Sequence, residues 1–469
     1  MPIEPTWKDR ENAARANADP ATVAALDAQP VPIIRLSTSA DTSATGSTDL
    51  DWDDDSLAPD GFRVTDSGNA QRFINLTDGK VRYVHKWQKW IVYGGGVWSV
   101  DTGNALITEA AKVVARSLWE MVPNLRGNTR TQLVKAATKA ESAGSITAMV
   151  QLARGIPGVL VAHDELDADP YLLNCANGSV DLRTGELRRH DPTDLCTQIA
   201  PVKYDPDAEA PLWDACLARW QPDPEVREYL QREAGAGACG RQTETLSVHY
   251  GQGGNGKSKF WEAVSRSIGS YAVVPHKSLI VATKHDQHAT VLASLFRARL
   301  AVTSETSDRD WLDEAQVKNL TGGDMLAARR MREDEWIFAP SHTLVMFSNH
   351  RPAIRGTDEG IWRRVRLIDW NVTIPAAERD EALGEKLAQE ASGILRWIVA
   401  GTVRFLAEGI QPPASIAAAT TDYRHGQDTV TRFLSEVGIE FDPRSQVASN
   451  KLLPMAGRFT GQHPGVAAP

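Results

Sequence analysis

Residues Gly251 to Ser258 read GQGGNGKS, which fits G-x-x-x-x-G-K-[ST], and this run constrains the chain more than any other stretch. It follows LSVHY, a short run with strand propensity, and precedes KFWEAVSRSIG, which can form a helix, so the strand, loop and helix that the pattern requires occur in order. Glycines let backbone N–H groups turn inward around phosphate oxygens, and the start of the helix adds positive potential. Gly251, Gln252, Gly253, Gly254, Asn255 and Gly256 form the expected cradle. Lys257 is the residue to reach the β and γ phosphates, and the Ser258 hydroxyl is the one to ligate Mg²⁺. A plain glycine-rich turn is the competing reading, and the strand-loop-helix context disfavours it.

Composition bounds what such a loop can be part of. A chain of 469 residues has room for about three domains of ordinary size. No apolar run approaches the ~18 residues that a bilayer-spanning helix needs, so no membrane association is expected. The N-terminus has no basic stretch followed by an apolar core, which points to a cytoplasmic location. Cys175, Cys196, Cys216 and Cys239 form no CxxC pair and read as reduced, mostly buried thiols. A net charge of -9 argues against a uniformly basic surface while leaving room for a local basic channel.

Four regions are expected. Residues 1–60, rich in Ala, Ser, Thr and Asp, read as a disordered acidic tail. Asp51, Asp53, Asp54 and Asp55 could alternatively be polymerase or primase carboxylates, but such sites need acids fixed on rigid strands. Residues 61–211 read as an α+β region. KVRYVHKWQKWIVYGGGVWSV predicts a hairpin or meander turning at Gly94 to Gly96, with Trp87, Trp90, Tyr93 and Trp98 as its core in preference to base-stacking positions. A helical stretch over about 104–155 precedes a strand-rich patch with turns at Asn177-Gly178 and Thr184-Gly185. Residues 212–375 predict an α/β domain, a mainly parallel sheet flanked by helices, and residues 376–469 a helical C-terminal region with a flexible end.

Further candidates lie in that α/β domain. RLAVTSE delivers Glu305 at the end of an apolar strand, where an acid can hold Mg²⁺ through water or polarise the attacking water. Asp308, Asp310 and Asp313 follow the strand and are weaker candidates. HTLVMFSNHRP ends in Asn349, which could orient a water at the γ phosphate or serve only as a turn residue. IWRRVRLI presents Arg363 and Arg364, either of which could reach a neighbouring subunit's site. Between these lies a candidate hairpin carrying Arg329, Arg330 and Arg332, read with equal weight as a grip on nucleic-acid phosphates or as a solvated, salt-bridged hairpin.

In order and spacing these segments resemble the superfamily III helicases of the AAA+ class, in particular the helicase half of phage and plasmid primase-helicases, related to the poxvirus primase-helicase. GQGGNGKS is similar to the Walker A loop, SETSDRDWLDEAQVKNLTGGD to the Walker B segment, ARRMREDEWIFAP to the pore hairpin, FSNHRP to the sensor, and GTDEGIWRRVRLIDW to the arginine-finger segment. The likeness runs over roughly residues 62 to 436.

The resemblance implies an AAA+ P-loop core that binds ATP and Mg²⁺ through Lys257 and Ser258, with Glu305 as Walker B acid and Asn349 as sensor. Arg364, ahead of Arg363, is the implied finger, and Lys318 and Arg329 fall where DNA or neighbouring subunits are touched. Members form hexameric rings that translocate on single-stranded DNA, generally 3′ to 5′, and unwind forked DNA in replication.

Only about 60 low-complexity residues precede the shared region, so the expectation is no primer synthesis by this chain and a separate primase or host replication proteins as partners. About 35 residues follow Leu434, fewer than the winged-helix module common in the family needs. The expected function is therefore an ATP-driven replicative helicase of a phage, prophage or other mobile element in a bacterial cell. An ATP-switched initiator that recruits a host helicase is the alternative, and a metabolic P-loop kinase is disfavoured by the hairpin arginines.

Overall fold

The computed structural model describes residues 58–282, 289–304, 311–329, 335–356 and 358–427; the expected acidic tail lies almost wholly outside them. The chain forms two units, one of residues up to Ala168 with Asp191–Thr197, the other of Asp169–His190 and the residues from Gln198 onward.

In the first unit α1 (Asp66–Leu76) leads into β1 (Val81–Val84), β2 (Lys89–Gly94) and β3 (Val97–Val100). Three helices follow, α2 (Ala105–Met121), α3 (Gly127–Ala140) and α4 (Ala143–Ala153), and then the short β4 (Leu160–Val161). The sheet order is β3-β2-β1-β4, antiparallel except for β1 with β4. The predicted turn is a two-residue one: Gly95 and Gly96 both have positive φ, 62° and 85°, which suits the twist of the hairpin. Trp90 and Trp98 are fully buried on opposite faces of this sheet, and Trp90 meets Phe73 and Tyr83 edge-on at 6.0 and 5.3 Å. Of the four aromatics expected in the core, Trp90 and Trp98 lie in it, while Trp87 and Tyr93 are half-buried and pack against its edge. Asp101 ties the sheet to α2, its carboxylate accepting from the backbone N–H groups of Leu106 and Ile107.

The second unit opens with a meander of β5 (Leu172–Cys175), β6 (Gly178–Asp181) and β7 (Glu186–Arg188), turning where Asn177-Gly178 and Thr184-Gly185 predict. Two helices, α5 (Pro211–Trp220) and α6 (Pro224–Ala238), lead into a sheet of five parallel strands. These are β8 (Leu246–Tyr250), β9 (Ala272–Val273), β10 (Leu300–Ser304), β13 (Thr343–Ser348) and β14 (Val365–Asp369), in the order β14-β8-β13-β10-β9. Between them run α7 (Lys257–Ile268), α8 (Ala289–Ala293), α9 (Glu314–Thr321), the hairpin of β11 (Leu326–Ala328) and β12 (Trp336–Phe338), and α10 (Glu359–Trp362). Three helices close the described chain: α11 (Leu383–Gln389), α12 (Ala391–Glu408) and α13 (Ala414–Gln427).

Both faces of the parallel sheet are apolar because both are covered. Leu300, Val302, Val345 and Ile368 join Trp213, Phe260, Trp261 and Ile398 on one side. Leu246, Val248, Leu344, Met346 and Leu367 join Val317, Leu320 and Tyr423 on the other. The fold is thus α/β, a parallel sheet between helices, with an α+β unit before it and helices after it. Leu173, Val180 and Leu182 belong to the first of these two cores, so the meander, read from sequence as part of the region before residue 212, folds with the parallel sheet. All four cysteines are free thiols, with Cys175, Cys196 and Cys239 buried.

Helices α6 and α12 touch backbone to backbone. A Cβ at Gly235 would lie 2.2 Å from the Gly401 carbonyl carbon and from Thr402 N, and Thr402 Oγ1 donates to the Gly235 carbonyl at 2.9 Å. Because backbone atoms cannot step aside, Gly235→Ala is expected to cost about 3 kcal/mol or more, read as a lower urea midpoint at unchanged slope.

Just before β13, His342 is fully buried and neither ring nitrogen has a hydrogen-bond partner among the described residues. Burial pushes its pKa down to about 4. In the unfolded chain the imidazole takes a proton near pH 6.5. His342 therefore stabilises the fold fully above that pH, and the contribution is lost as pH falls toward 4. Denaturation at pH 7 and pH 5 should show about 2 kcal/mol more loss in the wild type than in His342→Leu; equal losses would refute this.

Candidate functional site

Strand β8 is a central strand, buried along Leu246–His249, and it stops at Gly251 where the loop begins. The loop then turns through Gly253, Gly254 and Gly256 at φ of 98°, 64° and 90°, a backbone region that side chains rarely adopt, and delivers Lys257 as the first residue of α7. Gly256 is constrained a second time: a Cβ there would sit 2.4 Å from the indole of Trp220. Asn255 is buried, and its Nδ2 donates to the Trp370 carbonyl at 3.1 Å. Gln252 and Ser258 are exposed, so the Ser258 hydroxyl stands open to solvent at the first turn of α7.

Lys257 is buried, and its ammonium is held between two oxygens. Nζ donates to the Gly251 carbonyl and to Asn349 Oδ1, each at 2.7 Å. Burial lowers its pKa, so the folded loop favours a partner of opposite charge at this ammonium. Asn349 arrives because β13 pairs with β8 in parallel and in register, Ser348 opposite Tyr250, so both strands end at the same edge. The structure thus brings Lys257 and Asn349 together across 92 positions of sequence.

The other candidates lie elsewhere or outside the described residues. Glu305 immediately follows β10, whose last residue Ser304 is opposite Phe347 of β13, but Glu305 itself is outside the described residues, as are Asp308, Asp310, Arg330 and Arg332. Arg364 sits just before β14, whose Val365 is opposite Leu246 and whose Asp369 is opposite Tyr250. It is therefore separated from the loop of its own chain by the length of that strand, about 17 Å. Its Nη1 donates to the Gly360 carbonyl at 2.7 Å. Arg363 is exposed. Lys318 bonds Asp358 through both carboxylate oxygens at 3.0 Å and holds that carboxyl below its usual range. Arg329 is exposed at the end of β11, on a hairpin whose Ile337 is 59 % exposed, with Met325 just before it at 58 %.

Several residues that shape the loop carry no motif. Trp220 walls Gly256, and the Trp370 carbonyl fixes Asn255. Below the loop, Trp370 Nε1 donates to His249 Nδ1 at 3.0 Å, and His249 Nε2 lies 3.0 Å from Glu233 Oε2 with both side chains fully buried. A backbone carbonyl and a buried long-range pair leave no local pattern to read.

The cradle fits a nucleotide: a backbone that side chains rarely adopt, a buried lysine at its rim and a helix start beneath it. For Mg²⁺ the described residues offer the Ser258 hydroxyl, and no group of three or more metal-binding side chains occurs among them. No helix among the described residues is long and apolar enough to cross a membrane.

Residues 70–222 match the family described as D5 N terminal like, and residues 249–364 match a family described as of unknown function, DUF5906. A candidate helicase of Acanthamoeba polyphaga mimivirus is 26 % identical over 302 residues, 59 % of this chain and 31 % of that protein. A candidate helicase of Invertebrate iridescent virus 6 is 27 % identical over 278 residues, 55 % of this chain and 28 % of the relative. A candidate primase of African swine fever virus is 23 % identical over 327 residues, 61 % of this chain and 32 % of the relative. The matched part of the chain thus spans less than a third of the length of each of these curated relatives. Among solved structures, the apo C-terminal region of NrS-1 aligns with a TM-score of 0.47 at 11 % identity, covering 76 % of this chain and 74 % of that one. The D5-type match, together with viral relatives named for helicase and primase roles, supports a family relation to the superfamily III primase-helicases.

Proposed function

We propose that the chain is an ATPase that drives DNA unwinding in the replication of a phage, prophage or other mobile element. The observation that carries this reading is the ammonium of Lys257 held between the Gly251 carbonyl and Asn349 Oδ1. A phosphate chain seated in the glycine loop takes the place of one of those oxygens, and Asn349 is then free to orient water at the γ phosphate. Bound Mg²⁺ would supply charge neutralisation between the phosphates, with Ser258 and, by its place after β10, Glu305 as its protein-side partners.

Assembly follows from the same reading. Arg364 is a strand length from its own loop, which supports a role in the site of a neighbouring copy, in a homo-oligomer proposed to be a hexameric ring. Lys318, Arg329, Arg330 and Arg332 are the proposed contacts to single-stranded or forked DNA. Primer synthesis forms no part of the proposal.

The test is ATP turnover by the purified chain with and without single-stranded DNA, with a labelled forked duplex in the same reaction. Lys257→Ala is expected to lower turnover at least a hundredfold. Asn349→Ala, at an exposed position, should lower it about tenfold or more with little change in ATP affinity or melting temperature. Turnover without strand displacement would replace the helicase reading with an ATP-switched initiator. Turnover that depends on a small phosphate acceptor would replace it with a kinase, and no Lys257-dependent turnover would end it.

A further inference from the structure

The segment that follows β14 is fastened to the phosphate loop at successive points. Trp370 N donates to the Tyr250 carbonyl at 2.7 Å, the Trp370 carbonyl accepts from Asn255 Nδ2 at 3.1 Å, and Ile374 N donates to the Gly254 carbonyl at 2.7 Å. The chain then makes a short turn over Ala376–Glu378, anchored by an ion pair of Glu378 with Arg219, and ends at Arg379. Arg379 Nε donates back to the Ile374 carbonyl at 3.0 Å. This places the guanidinium against the loop itself: a Cβ at Gly254 would lie 2.5 Å from Nη2 and 3.0 Å from Cζ.

Two features set this arginine apart from an ordinary surface cation. It is tethered through Nε to Ile374, itself bonded to the Gly254 carbonyl, while Nη1 and Nη2 have no partner among the described residues. It also stands where charge is lacking. Lys257 and the α7 N-terminus together supply about 1.5 positive charges, less than the negative charge of a nucleoside triphosphate. The outer edge of a guanidinium is a planar pair of donors that matches phosphate oxygens.

The geometry points to Arg379 as a nucleotide-binding residue that acts in cis, its Nη edge contacting the phosphate chain held in the Gly251–Ser258 loop. This deepens the nucleotide-site reading above and rests on it. It assigns the segment after β14 a task that no motif carries, that of closing one side of the phosphate site with a cation from the same chain.

The test measures binding of Mg·ATP to the full chain, followed by a fluorescent ATP analogue, for the wild type, Lys257→Ala, Arg379→Gln and Arg379→Lys, with melting temperatures alongside. Gln keeps a donor that can hold the Ile374 carbonyl but carries no charge; Lys keeps the charge. Arg379→Gln is expected to weaken binding about tenfold and to flatten its dependence on salt, Arg379→Lys to weaken it less than threefold, and both to melt with the wild type. Arg379→Gln binding within twofold of the wild type, while Lys257→Ala has lost binding, would overturn the assignment and leave the nucleotide site standing. Equal weakening in both variants with lowered melting temperatures would reduce Arg379 to a loop tether and also overturn it. A wild type that binds no nucleotide would bring down both readings.

Discussion

The parallel pairing of β8 with β13 and β14 is the constraint on which the rest of the site depends. With Ser348 and Asp369 both opposite Tyr250, three strands end at one edge, and the loop, Asn349 and the Trp370 carbonyl meet there. A slip of one residue would exchange the two faces of a strand and carry Leu344 and Met346 into the opposite core. Register is therefore enforced by hydrophobic burial on both sides, and the site inherits its precision from the core.

That core is not uniformly apolar beneath the loop. On the face of β8 that bears His249, the strand meets Glu233, Trp261 and Trp370, with Trp370 bonded to the imidazole and its carbonyl bonded to Asn255. Hydrogen bonds thus link the His249 ring through Trp370 to Asn255 in the glycine loop, with the buried Glu233 carboxylate 3.0 Å from the imidazole. Such a hydrogen-bonded link holds what it joins, because a polar group that loses its partner in a dry interior is costly. Its effect here is to fix Asn255, which together with Trp220 leaves the loop one path from β8 to α7. The helices beyond β14 contribute to the same layer, with Ile394, Leu395 and Ile398 in the core that holds Phe260 and Trp261 of α7.

Much of this was legible in local pattern. The phosphate loop was, because its residue types answer a backbone need within eight positions. So was the turn at Gly95 and Gly96, where positive φ selects glycine. The halves of the β11–β12 hairpin and the parallel apolar strands could be read from short runs. The walls of the loop were not: Trp220, Trp370 and Arg379 come from segments 31 or more positions away and act through a ring face, a carbonyl and a tethered guanidinium. His342 looks like any strand-entry histidine until burial leaves it without a hydrogen-bond partner among the described residues.

The sequence by itself determined that a glycine-rich loop would stand between a strand and a helix with a lysine at the helix start, because backbone conformation at glycine is a local property. It also determined an α/β class, through apolar runs that suit strands covered on both faces. Only the tertiary structure decided that β13 would lie beside β8, and so that Asn349 would reach Lys257. It likewise decided that Arg364 would stand a strand length from its own loop and that Arg379 would lie against Gly254. Strand order and the return of a distant segment follow from how two cores close over both faces of the sheet, and that is a property of the whole packing, not of any window of the chain.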